Sequence, residues 1–231
     1  MNIVITGTHK GIGYNIAQYY LEKGHTVIGC SRHESQIVHD QYRHFVVDVC
    51  DEKQVNDFAK QVRRDYKFVD VLINNAGIAA MNHFMMTPIE TAKHLMEVNY
   101  LGGLICIRAF ASLLKKSEHP RVVNFSTVAV PFNLEGEMAY SSSKAAVESM
   151  TKILAKELAM FRITVNAVGP TPIKTDLIAK VPEEKLNKLL DNQAIHRFGE
   201  FKDIINVIDF YLNPSSDFIT GQIIYLGGVN R

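Results

Sequence analysis

Tyr140 and Lys144, a phenol and a primary amine four residues apart in the stretch Tyr140-Ser141-Ser142-Ser143-Lys144, are the pair best suited to chemistry in this chain. On a helix, residues at i and i+4 share a face, so the two side chains would stand together. A phenol titrates near about 10, too high for efficient proton exchange at neutral pH. A cation held beside it stabilises the phenolate and lowers that value, fitting it to give a proton to a forming alkoxide or take one from an alcohol. An exposed Tyr and Lys on a solvated helix would show the same spacing, so other parts of the chain must decide.

A second chemical signal lies near the start. Thr6-Gly7-Thr8-His9-Lys10-Gly11-Ile12-Gly13 joins an apolar run to a helical pattern. Glycines at 7, 11 and 13 allow a tight turn, close approach of bare backbone to a pyrophosphate, and tight packing of the following helix. The spacing is neither G-x-G-x-x-G nor the Walker pattern. Its position between a strand and a helix is what a phosphate site at a helix N-terminus needs.

The elements that must hold these residues alternate. NIVIT (2–6), TVIGC (26–30), HFVV (44–47), VDVLIN (69–74), RVVNFS (121–126), TVNAV (164–168) and QIIYL (222–226) read as strands, several apolar almost throughout, as strands buried on both faces are. Helical patterns lie between them, among them 87–116, where Thr87-Pro88-Ile89-Glu90 reads as an N-cap, a first-turn proline and a reaching glutamate. The alternation implies an α/β fold with a doubly wound parallel sheet. Residues 30–44 leave room for little helix, and a polar, lysine-rich stretch at 171–199 interrupts the pattern at the carboxyl edge of the sheet, where it reads as a substrate lid over a plain solvated hairpin.

With 231 residues, 47% of them hydrophobic, the chain can form one sizeable core. Its 25 basic and 24 acidic residues give a formal charge of +1, so no global field draws it to nucleic acid or anionic membrane. Three widely spaced cysteines suit free thiols in a reducing compartment. No leader and no membrane-length apolar run is expected, and the reading is cytoplasmic. Neither a zinc-protease motif nor a serine elbow is present, and no metal is expected.

The glycine loop, Asn74-Asn75-Ala76-Gly77, Asn99 within EVNYLG, YSSSK, and Ile219-Thr220-Gly221-Gln222 together resemble the short-chain dehydrogenase/reductase family over essentially the whole chain. The nearest likeness is to compact NADP-type members such as 3-oxoacyl-[acyl-carrier-protein] reductases. The resemblance implies a Rossmann-type seven-stranded parallel sheet with helices on both faces, in one domain over 1–231, and reversible hydride transfer between a nicotinamide and a carbonyl or secondary-alcohol carbon. It implies that Lys144 also holds the nicotinamide ribose and that Asn99 continues a proton relay through water; Asn99 alone would read as a helix-kink or cap residue. The family places a serine hydroxyl thirteen residues before the tyrosine to bind the substrate oxygen, and here Thr127 stands there, with Ser126 beside it. Residues 7–13 would hold the pyrophosphate, Asp48 and Val49 the adenine, Asn75, Ala76 and Gly77 the adjoining ribose, and Pro170, Ile173 and Thr175 the nicotinamide carboxamide. Thr171 for the usual glycine and Phe201 for a usual proline are departures.

The cofactor is expected to be NADP(H). NAD-binding members carry an acid at the end of the second strand, which would repel a 2′-phosphate. Here Ser31 takes that place, Arg32 follows, and Lys10 in the glycine loop is expected on the same side of the pocket. The expected partner is a small carbonyl or alcohol substrate or an acyl-carrier-protein thioester, and the expected assembly a homotetramer, with a dimer as alternative. Two other functions stay open: a reductase or dehydrogenase of a sugar or other small ketone or polyol, and a non-catalytic dinucleotide-binding regulator.

Overall fold

The computed structural model describes residues 1–174 and 183–229. Seven strands, β1 (Asn2–Thr6), β2 (Thr26–Ser31), β3 (Tyr42–Val46), β4 (Val71–Asn74), β5 (Arg121–Phe125), β6 (Thr164–Gly169) and β7 (Ile223–Tyr225), form one parallel sheet in the order β3-β2-β1-β4-β5-β6-β7. The doubly wound reading is thus borne out, and the order reverses between β1 and β4. That reversal leaves a crevice at the carboxyl ends of these strands, where such sheets bind ligands.

Both faces of the sheet are covered because successive side chains point to opposite sides. Val4, Ile28, Leu72, Val122 and Val165 pack beneath one layer, which includes α2 (Glu52–Tyr66), α4 (Gly102–Leu114) and α6 (Met138–Glu157). Ile3, Ile5, Val27, Val71 and Ile73 pack beneath the other, which includes α1 (Gly11–Glu22) and α8 (Phe201–Leu212). The connection from β2 to β3 contains no helix, as its length suggested.

Several boundaries differ from expectation. The third strand begins at Tyr42, two residues early, and α6 begins at Met138, so Tyr140 sits within its first turn. The long helix expected over 87–116 is three pieces: α3 (Ile89–Met96), a π-helical turn at Glu97–Leu101, and α4. Thr87 does not cap it. Pro88 is the N-cap, and the Thr87 hydroxyl turns back to donate to the carbonyls of Asn82 and His83. The expectation of no membrane-length segment also needs correcting, since Ile89–Leu114 is long and apolar enough to qualify by composition. Its apolar face, including Leu95, Cys106, Phe110, Leu113 and Leu114, is spent on the core. In the 171–199 stretch, of which 175–182 lie outside the described residues, α7 (Glu183–Asp191) is a helix, and a bridge pairs Ile173 with Gly199. The short α5 (Ala129–Phe132) follows β5.

Candidate active site

The glycine loop is tied to strands on both sides. The amides of Gly7 and Thr8 donate to Cys30 O at 2.7 and 3.3 Å, placing the loop beside the end of β2. On the β4 side, the Asn75 amide group donates to Thr6 O at 2.8 Å, and the Ala76 N–H donates to Thr6 Oγ1 at 2.9 Å. Gly13 and Gly11 do different work. A Cβ on Gly13 would lie 2.4 Å from Gly7 O, so that position seats α1 against the loop. Gly11, at φ +65°, would meet nothing within 4 Å, so its backbone is bare and open. An open, positive-φ backbone at the first residue of a helix fits a dinucleotide pyrophosphate. Lys10 is the N-cap of α1 and Ile12 packs on the core.

Across the crevice, α6 grips the end of β5 at successive residues. Lys144 is buried, and its Nζ donates to Phe125 O at 2.9 Å. One turn on, the buried Glu148 carboxylate accepts from Ser126 Oγ at 2.5 Å and from the Tyr225 hydroxyl at 2.5 Å. Thr127 faces the other way, where its side chain acts on the Tyr140 phenol and its Oγ1 accepts from the Ala129 N–H at 3.2 Å. Thr127 and Tyr140 therefore come together, while Ser126 belongs to Glu148.

The electrostatics differ from the simple picture of a phenol acidified by its lysine. Burial pushes Tyr140 up to about 12, with Thr127 pulling it down and Glu137 adding to the rise. Burial lowers Lys144 to about 8, the loss of water around the amine outweighing its donation to the β5 carbonyl. The phenol stays protonated at neutral pH.

Asn99 lies in the π-helical turn, buried, with its side chain spent in three directions. Its Oδ1 accepts from Ile78 N–H at 2.8 Å, and its Nδ2 donates to Ile78 O at 3.0 Å and Ser143 Oγ at 2.9 Å. Gly77 completes the junction, since a Cβ there would lie 3.2 Å from Asn99 Oδ1 and 3.4 Å from Lys144 Nζ. Ser143, whose hydroxyl donates to Tyr140 O at 2.7 Å, was not singled out from the sequence. The Tyr140 carbonyl three residues before it, within reach of a serine hydroxyl on a helix, is the signal that could have marked it.

The remaining candidates spread along the crevice. Ser31 ends β2 beside the glycine loop, and the exposed Arg32 follows it. Asp48 closes a turn by accepting from Cys50 N–H at 3.0 Å, and Val49 is buried against Gly102. Pro170 O accepts from Val128 N–H at 3.2 Å, and Ile173 is buried. Thr175 lies outside the described residues.

Comparison with known proteins agrees with this architecture. Residues 7–230 match the family described as Enoyl-(Acyl carrier protein) reductase. The Haemophilus influenzae 3-oxoacyl-[acyl-carrier-protein] reductase FabG is 31% identical, covering 97% of this chain and 96% of that protein. The Arabidopsis thaliana chloroplastic NADPH-dependent aldehyde reductase 2 is 32% identical, covering 97% and 92%. Among solved structures, the ligand-free aldohexose dehydrogenase of Thermoplasma acidophilum superposes with a TM-score of 0.89 at 27% identity, covering 99% of this chain and 93% of that one. With its crevice at the β1/β4 reversal and matches spanning nearly its whole length, this chain belongs to the short-chain dehydrogenase/reductase family.

Proposed function

We propose that this protein is an NADP(H)-dependent oxidoreductase of a carbonyl or secondary alcohol, most like a 3-oxoacyl-[acyl-carrier-protein] reductase. The observation that carries the reading is the convergence of Tyr140, Thr127 and Lys144 on α6 and the end of β5, joined through Gly77 to the strand that flanks the glycine loop. The nicotinamide, when bound, supplies or accepts the hydride. The chain's own part is to hold and protonate oxygen: Thr127 Oγ1 orients the substrate oxygen, and Tyr140 Oη gives it a proton as the alkoxide forms. A phenol near 12 remains a stronger acid than the alcohol it makes, so burial suits Tyr140 to the reductive direction. Residues 7–13 hold the pyrophosphate, Asn75 to Gly77 and Asp48 to Val49 the adenosine, Lys144 and Asn99 the nicotinamide ribose and proton path, and Pro170 with Ile173 the carboxamide. Arg32 and Lys10 favour a 2′-phosphate, in line with the structure of ElxO with NADP bound, which superposes with a TM-score of 0.88 at 27% identity.

An acyl substrate is favoured by an apolar turn. Phe84, Met85 and Met86 are 68, 80 and 75% exposed, and the turn is tied through Asn82 N–H to Gly136 O, four residues before Tyr140. The likeness to aldohexose dehydrogenase keeps a sugar as the second reading. The test is a panel of acyl thioesters, aldoses and simple ketones with NADPH, read by nicotinamide absorbance. Turnover of the thioesters well above the aldoses supports the first reading, and the reverse order overturns it. A cytoplasmic homotetramer with residues 171–199 as its substrate lid completes the proposal, and light scattering that gives a monomer mass would reject the assembly.

A further inference from the structure

We infer that Glu148 is a positioning residue for the proposed reaction: with the hydroxyls of Ser126 and Tyr225 it fixes α6 against β5 and β7, so that Tyr140 meets Thr127 in the reacting geometry. The inference rests on the reading of Tyr140 as the proton donor given above.

Tyr140, Lys144 and Glu148 stand at i, i+4 and i+8, on one stripe of α6. The stripe grips the end of β5 residue by residue. Lys144 Nζ donates to Phe125 O at 2.9 Å, the Ser126 hydroxyl donates to Glu148 Oε1 at 2.5 Å, and Thr127 acts on the Tyr140 phenol. At about 1.5 Å of rise per residue, Glu148 lies about 12 Å along the helix axis from Tyr140, too far to touch a substrate oxygen held there. Its effect on the reaction must pass through the helix.

The contact with β7 is made across an intervening strand. Tyr225 pairs with Gly169 in the β6–β7 register, and β6 lies between β7 and β5. The Tyr225 ring lies over Gly169, where a Cβ would stand 2.4 Å from its Cδ1 and 2.9 Å from its Cε1. Glycine at 169 leaves that path open, and the phenol at its end donates to Glu148 Oε1 at 2.5 Å, the same oxygen that accepts from Ser126. The strand that presents the ring is itself held, since Leu226 N–H donates to Gly169 O at 3.0 Å and Ile195 N–H to Gly227 O at 3.0 Å. Glu148 and Ser126 are buried, and a carboxyl group withdrawn from water is stable only where donors meet it. A buried polar network whose members are satisfied has one favoured arrangement, and here that arrangement sets where α6 sits on the sheet.

Two donors on one oxygen make each the reserve of the other. Losing one leaves the carboxyl group anchored, whereas losing both leaves it buried without them and α6 free to shift. A misplacement of about 1 Å at a reacting group costs about 10²-fold, so a shift of about half that costs about tenfold.

The experiment uses NADPH and whichever acyl thioester, aldose or ketone of the panel above the parent turns over fastest. Turnover is expressed per cofactor-binding site counted by fluorescence titration, so that loss of folded protein drops out. Glu148→Leu is expected to lower kcat about tenfold or more, with KM and the cofactor Kd within about threefold of the parent. Glu148→Gln, which retains an acceptor oxygen, is expected to keep at least about a third of the parent kcat. Ser126→Ala and Tyr225→Phe should each do the same, while the double variant falls about tenfold or more, well beyond the product of the singles. If Glu148→Leu yields no cofactor-binding protein, the double variant and Glu148→Gln supply the reading. A Glu148→Leu or double variant with kcat per site within about threefold of the parent overturns the inference and leaves the cluster a stability role alone. Glu148→Gln failing as fully as Glu148→Leu overturns it as well. Parent-like turnover in Tyr140→Phe overturns the proton-donor reading, and the positioning role with it.

Discussion

Lys144→Met should separate stability from function. The amine is 5% exposed and burial lowers it from 10.5 to about 8, which corresponds to about 3 kcal/mol of preference for the neutral form. Below pH 8 the folded protein must protonate this buried amine at that cost. Between about 8 and 10.4 the unfolded chain holds a proton that the folded one does not, so stability rises with pH across this window. Methionine fills nearly the same volume without charge. It removes the cost and leaves Phe125 O without its donor, a loss of about 1–3 kcal/mol. The net expectation at pH 7 is stability unchanged or higher by up to about 2 kcal/mol, while turnover collapses. Urea unfolding of parent and variant at pH 7 and 9.5 reads both terms: the parent should gain relative to the variant at the higher pH. A variant that loses more than about 3 kcal/mol at pH 7, or that tracks the parent across the window, would refute the reasoning.

Thr127→Val should lower turnover by about 10²-fold or more, because in the proposed reaction its hydroxyl serves the phenol and the substrate oxygen, and should cost about 1 kcal/mol in stability by leaving the Ala129 N–H without its acceptor. Ser126→Ala should instead leave most activity, costing about 1–2 kcal/mol in thermal unfolding by depriving buried Glu148 of a donor; if Ser126→Ala is the more damaging to turnover, the two side chains have exchanged roles. Arg32→Asp should weaken NADPH binding by about tenfold or more and leave NADH unchanged or improved, measured as dissociation constants at one salt concentration; an unaltered ratio removes Arg32 from the cofactor site.

What was legible in the sequence was what local pattern determines. NIVIT is apolar on both faces because β1 is central in a doubly covered sheet, and Ile3, Val4 and Ile5 are fully buried. The glycines announced a turn because positive φ at Gly7 and Gly11 has few other solutions. Tyr140 and Lys144 share a helical face whatever surrounds them. What surrounds them was not legible, because it is set by residues distant in the chain. Lys144 turns its amine to Phe125 O, nineteen residues away, so the phenol's environment is governed by burial. In the π-helical turn at 97–101, Asn99 reaches the backbone of Ile78, a contact no helical periodicity encodes. Thr87 fits a capping rule, but its hydroxyl has nearer carbonyls at Asn82 and His83. His33 lies in a segment without periodicity, and only the fold brings it to His9.

Replacing Tyr140 by Phe is the most direct test of the proposed chemistry, since it removes one hydroxyl from a half-buried ring and leaves the glycine loop untouched. Cofactor dissociation constants should stay within about twofold of the parent while turnover of a reducible carbonyl falls by about 10²–10⁴-fold. A Tyr140→Phe protein that retains more than half of the parent turnover would contradict the assignment of the phenol as the proton donor.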